Sequence, residues 1–297
     1  EFSLATYNAY LINPDTINRI YTPAVVGNTK QIDKNTTSGS QNEWVANFGA
    51  NYANKLYLGG GIGITGLNYR LDSKYSEYDF IDQGNNGVKS LGLAERRIVT
   101  GTGYNARIGA ILRPVDFFRV GASVQTPTYY TLTETSIQTL SSSNIDTRFS
   151  YDTTFNYEFE YNLTTPYRYN LGAAIFIKKY GFISADIEQL DYGLAAYSSN
   201  DPGSFDSDKN KEIRSTYQNT TNYRLGAEAK LGTISLRAGY AYYGNATGVG
   251  SSKVSYSGGL GYKVNDYYFD MAVVNTKYNT NYSPYPLADG TTPTGKI

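Results

Sequence analysis

An all-β fold, its strands running antiparallel around a membrane-crossing barrel, is predicted by three features of the sequence. Residues alternate between apolar and polar with a period of two over most of the chain. The composition holds 31 Tyr, 30 Gly and 12 Phe against one Trp and one Met, favouring pleated surfaces over helices. Tight turns alternate along the chain with long polar connections, the pattern of a barrel with short turns at one end and long loops at the other.

The strands follow in order. Trp44, Ala46, Phe48, Ala50 and Tyr52 lead through "ANK" into Leu56, Leu58, Ile62 and Ile64. Tyr104, Ala106, Ile108, Ala110 and Leu112 lead through "RPVD" into Phe118, Val120, Ala122 and Val124. Tyr167 to Ile177 leads through "KKYG" into Ile183, Ala185 and Ile187. Tyr223 to Ala229 leads through "LGT" into Ile234 to Tyr242, and Val254 to Tyr262 leads through "VND" into Tyr267 to Val273. This gives about five hairpins and about ten strands in a single domain over 1–297. Long polar loops are expected near 70–100, 132–153, 192–219 and 244–252, and beyond 276. Phe155 to Leu163 also alternates, and a single bent strand through Pro166 is expected there, since proline lacks the ladder N–H.

Composition excludes much chemistry. There is no His and no Cys, so imidazole-based triads, ordinary zinc sites and disulfides are absent, and an enzyme is not expected. Lys plus Arg and Asp plus Glu are both 26, which implies no nucleic-acid surface. No window reaches the roughly 18 to 20 apolar residues of a membrane helix, so a bilayer is crossed here only by strands. The only methionine is Met271, which predicts a processed or truncated piece. Asp206, Asp208 and Asn210 begin a calcium-loop pattern that fails at Lys211 and Tyr217, so a solvated loop is expected and no metal or cofactor.

The polar strand faces carry Arg107, Arg119, Arg168, Asp186, Glu188, Arg224, Glu228, Arg237 and Asp270. Pointing inward, they form a ladder of ion pairs that either steers polar parts of a ligand or stiffens the wall. Glu158 and Glu160 alternate with apolar residues, as on a solvated strand face. In "LYLGGGIGITGLNY", Gly61, Gly63 and Gly66 match G-x-G-x-x-G, yet the alternation runs through them without becoming a helix, which excludes the dinucleotide reading. The alternation resumes in opposite phase at Leu67, which predicts a β-bulge at Thr65 and Gly66. In "QTPTYYTLTET", Pro127 breaks a strand beside Tyr129 and Tyr130; these two, with Phe155, Tyr157 and Phe159, are the candidates for a substrate pocket or its mouth, or else belong to an aromatic girdle.

"LRPVDFFRVGASVQTPTYYTLTET", with "GSQNEWVANFGANYANKLYLGGGIGI", "GFISADIEQLDY" and "LGTISLRAGYAYYG", resembles the outer-membrane long-chain fatty-acid transporter family, which includes aromatic-hydrocarbon porins, in its Bacteroidetes-like form. The resemblance implies a barrel of about fourteen strands plugged by an N-terminal hatch. It implies loss here of the hatch, the first strands and the last strand. It also implies passage of a hydrophobic small molecule, such as a fatty acid, by capture, an apolar pocket and lateral escape, with outer-membrane lipid and lipopolysaccharide as surroundings. The alternatives are a non-transporting barrel serving structure, assembly or adhesion, with a protein partner in the outer membrane, and a soluble secreted sandwich.

Overall fold

The structure is a computed structural model that describes residues 2–9, 11–17, 19–23, 29–80, 87–200, 205–248, 252–279, 281–282 and 295–296. The expected loop segments 81–86, 201–204 and 249–251, and most of 283–297, lie outside the described residues.

A short helix, α1 (Phe2–Asn8), precedes a ribbon of β1 (Ile12–Asp15) and β2 (Ile20–Pro23). Then come β3 (Lys30–Tyr52), β4 (Leu56–Tyr78), β5 (Val88–Val115), β6 (Phe118–Gln125) and β7 (Tyr129–Asn144). They are followed by β8 (Tyr151–Thr164), β9 (Arg168–Phe176), β10 (Gly181–Asp191), β11 (Ala196–Ser199) and a helix, α2 (Asp206–Thr216). The chain continues through β12 (Asn219–Leu231), β13 (Ile234–Tyr243), β14 (Lys253–Val264) and β15 (Tyr267–Lys277).

Strands β3 to β15 form one sheet. β3 pairs β4 and β4 pairs β5; from β5 the sheet continues through β6, β9, β10, β12, β13 and β14 to β15, and separately through β7 and β8 to β11. β3 and β15 are not paired with each other among the described residues. The five short turns expected from the sequence stand between β3 and β4, β5 and β6, β9 and β10, β12 and β13, and β14 and β15. At the first, Ala53 and Asn54 both have positive φ (52° and 54°) and the Lys55 N–H donates to the Tyr52 carbonyl at 3.0 Å, the type I′ geometry that matches strand twist.

Three expectations change. Most of 70–100 and 132–153 is strand, because β4 reaches Tyr78, β5 starts at Val88 and β7 reaches Asn144. The run across Pro166 is two strands, β8 and β9, separated at 165–167. The segment from Asp206 is a helix, where Asn210 donates to the Tyr197 carbonyl and accepts from its N–H, both at 2.8 Å. This amide and the Asp206 carboxylate, which accepts from the Ser199 N–H at 2.9 Å, together cover the free edge of β11, which is why a polar segment orders there.

The chain divides into two units: Glu1–Asn42, Gly66–Thr102 and Leu132–Glu160 form the first, and Glu43–Thr65, Gly103–Thr131 and Tyr161–Ile297 the second. The first has an apolar inside. Ala5, Ala9 and Leu11 pack with Phe80, Val88 and Leu140, and Leu91, Tyr151 and Phe155 pack against this cluster. Its outward positions are polar: Thr139 and Thr154 hydroxyls lie 3.0 Å apart, and Glu158 and Glu160 are exposed. Hydrogen bonds from Arg70, at 2.6 Å, and Arg96, at 2.9 Å, pull the half-buried Asp72 carboxyl down to about 2.

The second unit is patterned the other way. Its exposed side chains include Ile62, Ile64, Ile108, Leu171, Ile183, Leu225, Leu260 and Met271, while polar Asn105, Glu188 and Asn222 are buried. Such a continuous apolar outer face is expected to meet lipid, since water tolerates only small exposed patches. Tyr pairs flank it at the loop end, with ring centroids 6.0 Å apart for Tyr104 and Tyr129 and 6.1 Å for Tyr167 and Tyr169. Phe117, Tyr180 and Tyr267 are exposed beside the short turns.

β4 runs as one strand through Thr65 and Gly66, where a bulge is expected; Gly61, Gly63 and Thr65 are buried and Ile62, Ile64 and Asn68 exposed. A register shift does occur between β5 and β6, between Leu112 and Val115.

Candidate functional site

The inner face of the second unit is built by register. Glu188 on β10 stands opposite Asn170 and Asn222, and Asp186 stands opposite Gly172 and Arg224. Glu188, 5% exposed, accepts from Arg224 Nη2 at 2.7 Å and Asn222 Nδ2 at 2.8 Å, and its second oxygen lies 3.5 Å from Arg168 Nη1. Glu228 accepts from Arg237 Nε at 2.6 Å, and Arg237 Nη1 also donates to Asp270. The structure thus brings six of the nine expected ladder residues into two clusters. Arg107 pairs instead with Glu43, its Nη2 donating at 2.6 Å beside an Asn105 amide at 2.9 Å. Among the described residues neither Arg119 nor Asp186 has an ion-pair partner; the Arg119 guanidinium lies 4.3 Å from the centre of the Phe176 ring. Sequence reading missed Glu43, Asn105 and Asn222. Glu43 sits in the inward phase of the strand that starts beside Trp44, a signal present but unused.

Gly61 and Gly63 make room for this cluster. A Cβ at Gly63 would collide with the Glu43 carboxylate and lie 3.0 Å from Asn105 Oδ1, and one at Gly61 would collide with Asn47 Oδ1. Two of the three fingerprint glycines therefore serve polar packing between strands. Replacing Gly63 by Val should push Glu43 off Arg107 and lower stability by about 1–3 kcal/mol, read as a shift of the urea midpoint.

Tyr129 and Tyr130 point to opposite faces. Tyr130, 7% exposed, rests where Gly103 lacks a side chain, since a Cβ there would lie 2.6 Å from its ring. Tyr129, 45% exposed, joins Tyr104 on the outer face. Both adjoin a seam at which neighbouring strands break together: β6 and β7 at 126–128, and β8 and β9 at 165–167, each with a proline that offers no N–H. Threonine hydroxyls add to the main-chain bonds along it, in which the Thr165 N–H donates to the Thr128 carbonyl at 3.1 Å and the Thr126 N–H to the Ala106 carbonyl at 2.9 Å. Thr165 Oγ1 accepts from the Thr128 N–H at 2.8 Å, and Thr126 Oγ1 accepts from the Ala106 N–H at 3.0 Å.

Phe155, Tyr157 and Phe159 belong to the first unit. Phe155 packs against the α1 core and its ring stacks on Tyr157 with centroids 6.4 Å apart. The structure therefore divides the five aromatic candidates between the two units.

Two hollows open on the inner face of the second unit. One of about 820 Å³ is lined by Arg107, Arg119, Arg168, Asp186 and Phe176, with Gly109, Gly121 and Gly172 as its floor. The other, of about 940 Å³, is lined by Arg224, Glu228, Arg237, Tyr243 and Lys253. Among the described residues no cluster of acidic side chains could hold a metal ion.

No family model matches the chain, and no curated protein matches it. Among solved structures, it is similar to the toluene transporter TbuX of Ralstonia pickettii, at 12% identity and a TM-score of 0.43. It is also similar to the toluene transporter TodX of Pseudomonas putida, at 13% identity and a TM-score of 0.42; each likeness covers 84% of both chains.

Proposed function

We propose that this chain forms the wall of a bacterial outer-membrane β-barrel, of the long-chain fatty-acid transporter type, that passes hydrophobic small molecules such as fatty acids. The observation that carries this reading is the second unit's pattern: large apolar side chains exposed outside, ion-paired arginines and carboxylates inside. In water that pattern is costly; with lipid outside and a polar lumen inside, each face has its solvent. Lipid and lipopolysaccharide are then the surroundings of the outer face, and the hydrophobic ligand is the cargo.

The paired breaks at 126–128 and 165–167 supply the side route. Two threonine hydroxyls hold the seam, together with main-chain bonds from the Thr165 N–H to the Thr128 carbonyl at 3.1 Å and from the Thr126 N–H to the Ala106 carbonyl at 2.9 Å. Tyr130 on the inner face lines the approach to it. The test is fatty-acid uptake by cells carrying the full-length protein. Tyr130→Asp is expected to reduce uptake several-fold at equal surface abundance, and Thr165→Val to change it by loosening the seam. Unchanged uptake in both variants would remove the seam from the route. Wild-type protein without uptake above empty cells would instead favour a non-transporting barrel, to which the ion-paired inner wall also corresponds.

A further inference from the structure

The short-turn end of the second unit carries a local excess of positive charge in a chain whose charges balance overall. Lys55, Arg113, Lys178, Lys179, Lys230 and Lys263 stand in or next to the five turns, against Asp116 and Asp266. Main-chain hydrogen bonds join each turn to the next. The Arg113 N–H donates to the Lys55 carbonyl at 2.7 Å, Phe176 to Phe117 at 2.7 Å, Lys230 to Tyr180 at 2.7 Å, and Lys263 to Thr233 at 2.8 Å. These bonds set the cations along one continuous rim. Arg113 is committed to Asp116 at 3.0 Å, and Lys230 to Glu228 at 3.5 Å. Among the described residues Lys55, Lys178, Lys179 and Lys263 form no ion pair, and all four are exposed.

Aromatic rings share this end. Phe117, Tyr180, Tyr267 and Tyr268 are exposed beside the turns, and Lys179 Nζ lies 5.6 Å from the centre of the Tyr180 ring. Immediately along the strands begins the apolar outer face, at Leu58, Ile175, Leu236 and Met271. Around the 116–117, 177–180 and 265–266 turns the order is therefore aliphatic face, then aromatic rings with cations, while at the 232–233 turn exposed Leu231 and Ile234 stand in place of the aromatics. This sequence matches acyl chain, interface and phosphate in one lipid leaflet. A rim for water alone would need neither the aromatics nor the unpaired lysines.

We propose that this rim is a headgroup-binding belt for anionic glycerophospholipid, the lysine ammonium groups engaging lipid phosphates at the end of the apolar band. The proposal rests on the membrane reading above and adds a lipid preference to it. The attraction is electrostatic, so it weakens as salt shortens the screening length.

The test reconstitutes the full-length protein into phosphatidylcholine vesicles doped with spin-labelled phosphatidylglycerol or spin-labelled phosphatidylcholine, and compares the motionally restricted fractions. Phosphatidylglycerol is expected to be preferred, by about fivefold per engaged lysine at low salt. Single Lys178→Gln should reduce the preference, and the fourfold variant Lys55→Gln, Lys178→Gln, Lys179→Gln, Lys263→Gln should abolish it. These exposed positions make no ion pair among the described residues, so the variants are expected to fold. Equal fractions for wild type, or a preference that survives in the fourfold variant, would overturn the proposal. So would loss of the preference to inorganic phosphate at matched ionic strength, which would assign the rim to a soluble anion. No restricted component with either lipid would contradict the membrane reading itself.

Discussion

Arginine in place of Leu225 is expected to destabilise the reconstituted protein by about 2–4 kcal/mol, the cost of a cation on the lipid face near the middle of a transmembrane strand. Leu225 is 54% exposed and stands between Ala185 on β10 and Tyr240 on β13, at the centre of the apolar band. In a water-soluble protein the same substitution at so exposed a position would change stability by less than about 0.5 kcal/mol. The urea midpoint of protein folded into vesicles measures the difference. A companion substitution, Thr154→Arg on the exposed polar face of the first unit, is expected to be nearly neutral, which separates the two environments.

The second large effect is internal. Glu188→Ala leaves Arg224 and Arg168 without their shared carboxylate and Asn222 without its acceptor, and removal of one partner from a buried ionic cluster typically costs about 3–5 kcal/mol. Glu188→Gln retains an acceptor oxygen for one of these donors and is expected to recover part of that loss. Both are read from unfolding midpoints at an unchanged slope. If Ala and Gln were equally mild, the cluster would be loose and wet, and a ladder that stiffens the wall would be the wrong description.

How far this was legible in the sequence depended on which face water or lipid meets. Short turns such as Ala53–Lys55 and apolar runs such as Ile62–Ile64 were legible, because alternation of aliphatic with small or charged residues is a local signal. Strand at 71–78 and 88–100 was not: the first unit exposes polar residues and buries few large ones, so the period of two loses its contrast. The phase change at Leu67 was visible, but one sequence does not distinguish a bulge from a change of environment.

The candidate site was legible in its inventory and illegible in its pairing. Arg168, Glu188 and Arg224 were named as inward residues, yet their meeting at one carboxylate depends on the registers of β9, β10 and β12, which are set across strands. Glu43 and Asn105 were missed for the same reason, being 62 residues apart in sequence. Pro127 and Pro166 each announced a break. Their alignment into one seam, closed by Thr128 and Thr165, follows only from strand pairing.

The absence of cysteine makes one measurement decisive for the central claim, that the second unit turns its apolar face to lipid and its charged face inward. Single cysteines at Leu225 and, on the opposite face, at Ser184 are labelled with an environment-sensitive fluorophore in vesicle-reconstituted protein. The account expects the label at 225 to be quenched by spin-labelled acyl chains and shielded from an aqueous quencher, and the label at 184 to show no acyl-chain quenching. Aqueous quenching at 225, with no response to acyl-chain labels in folded protein, would contradict it.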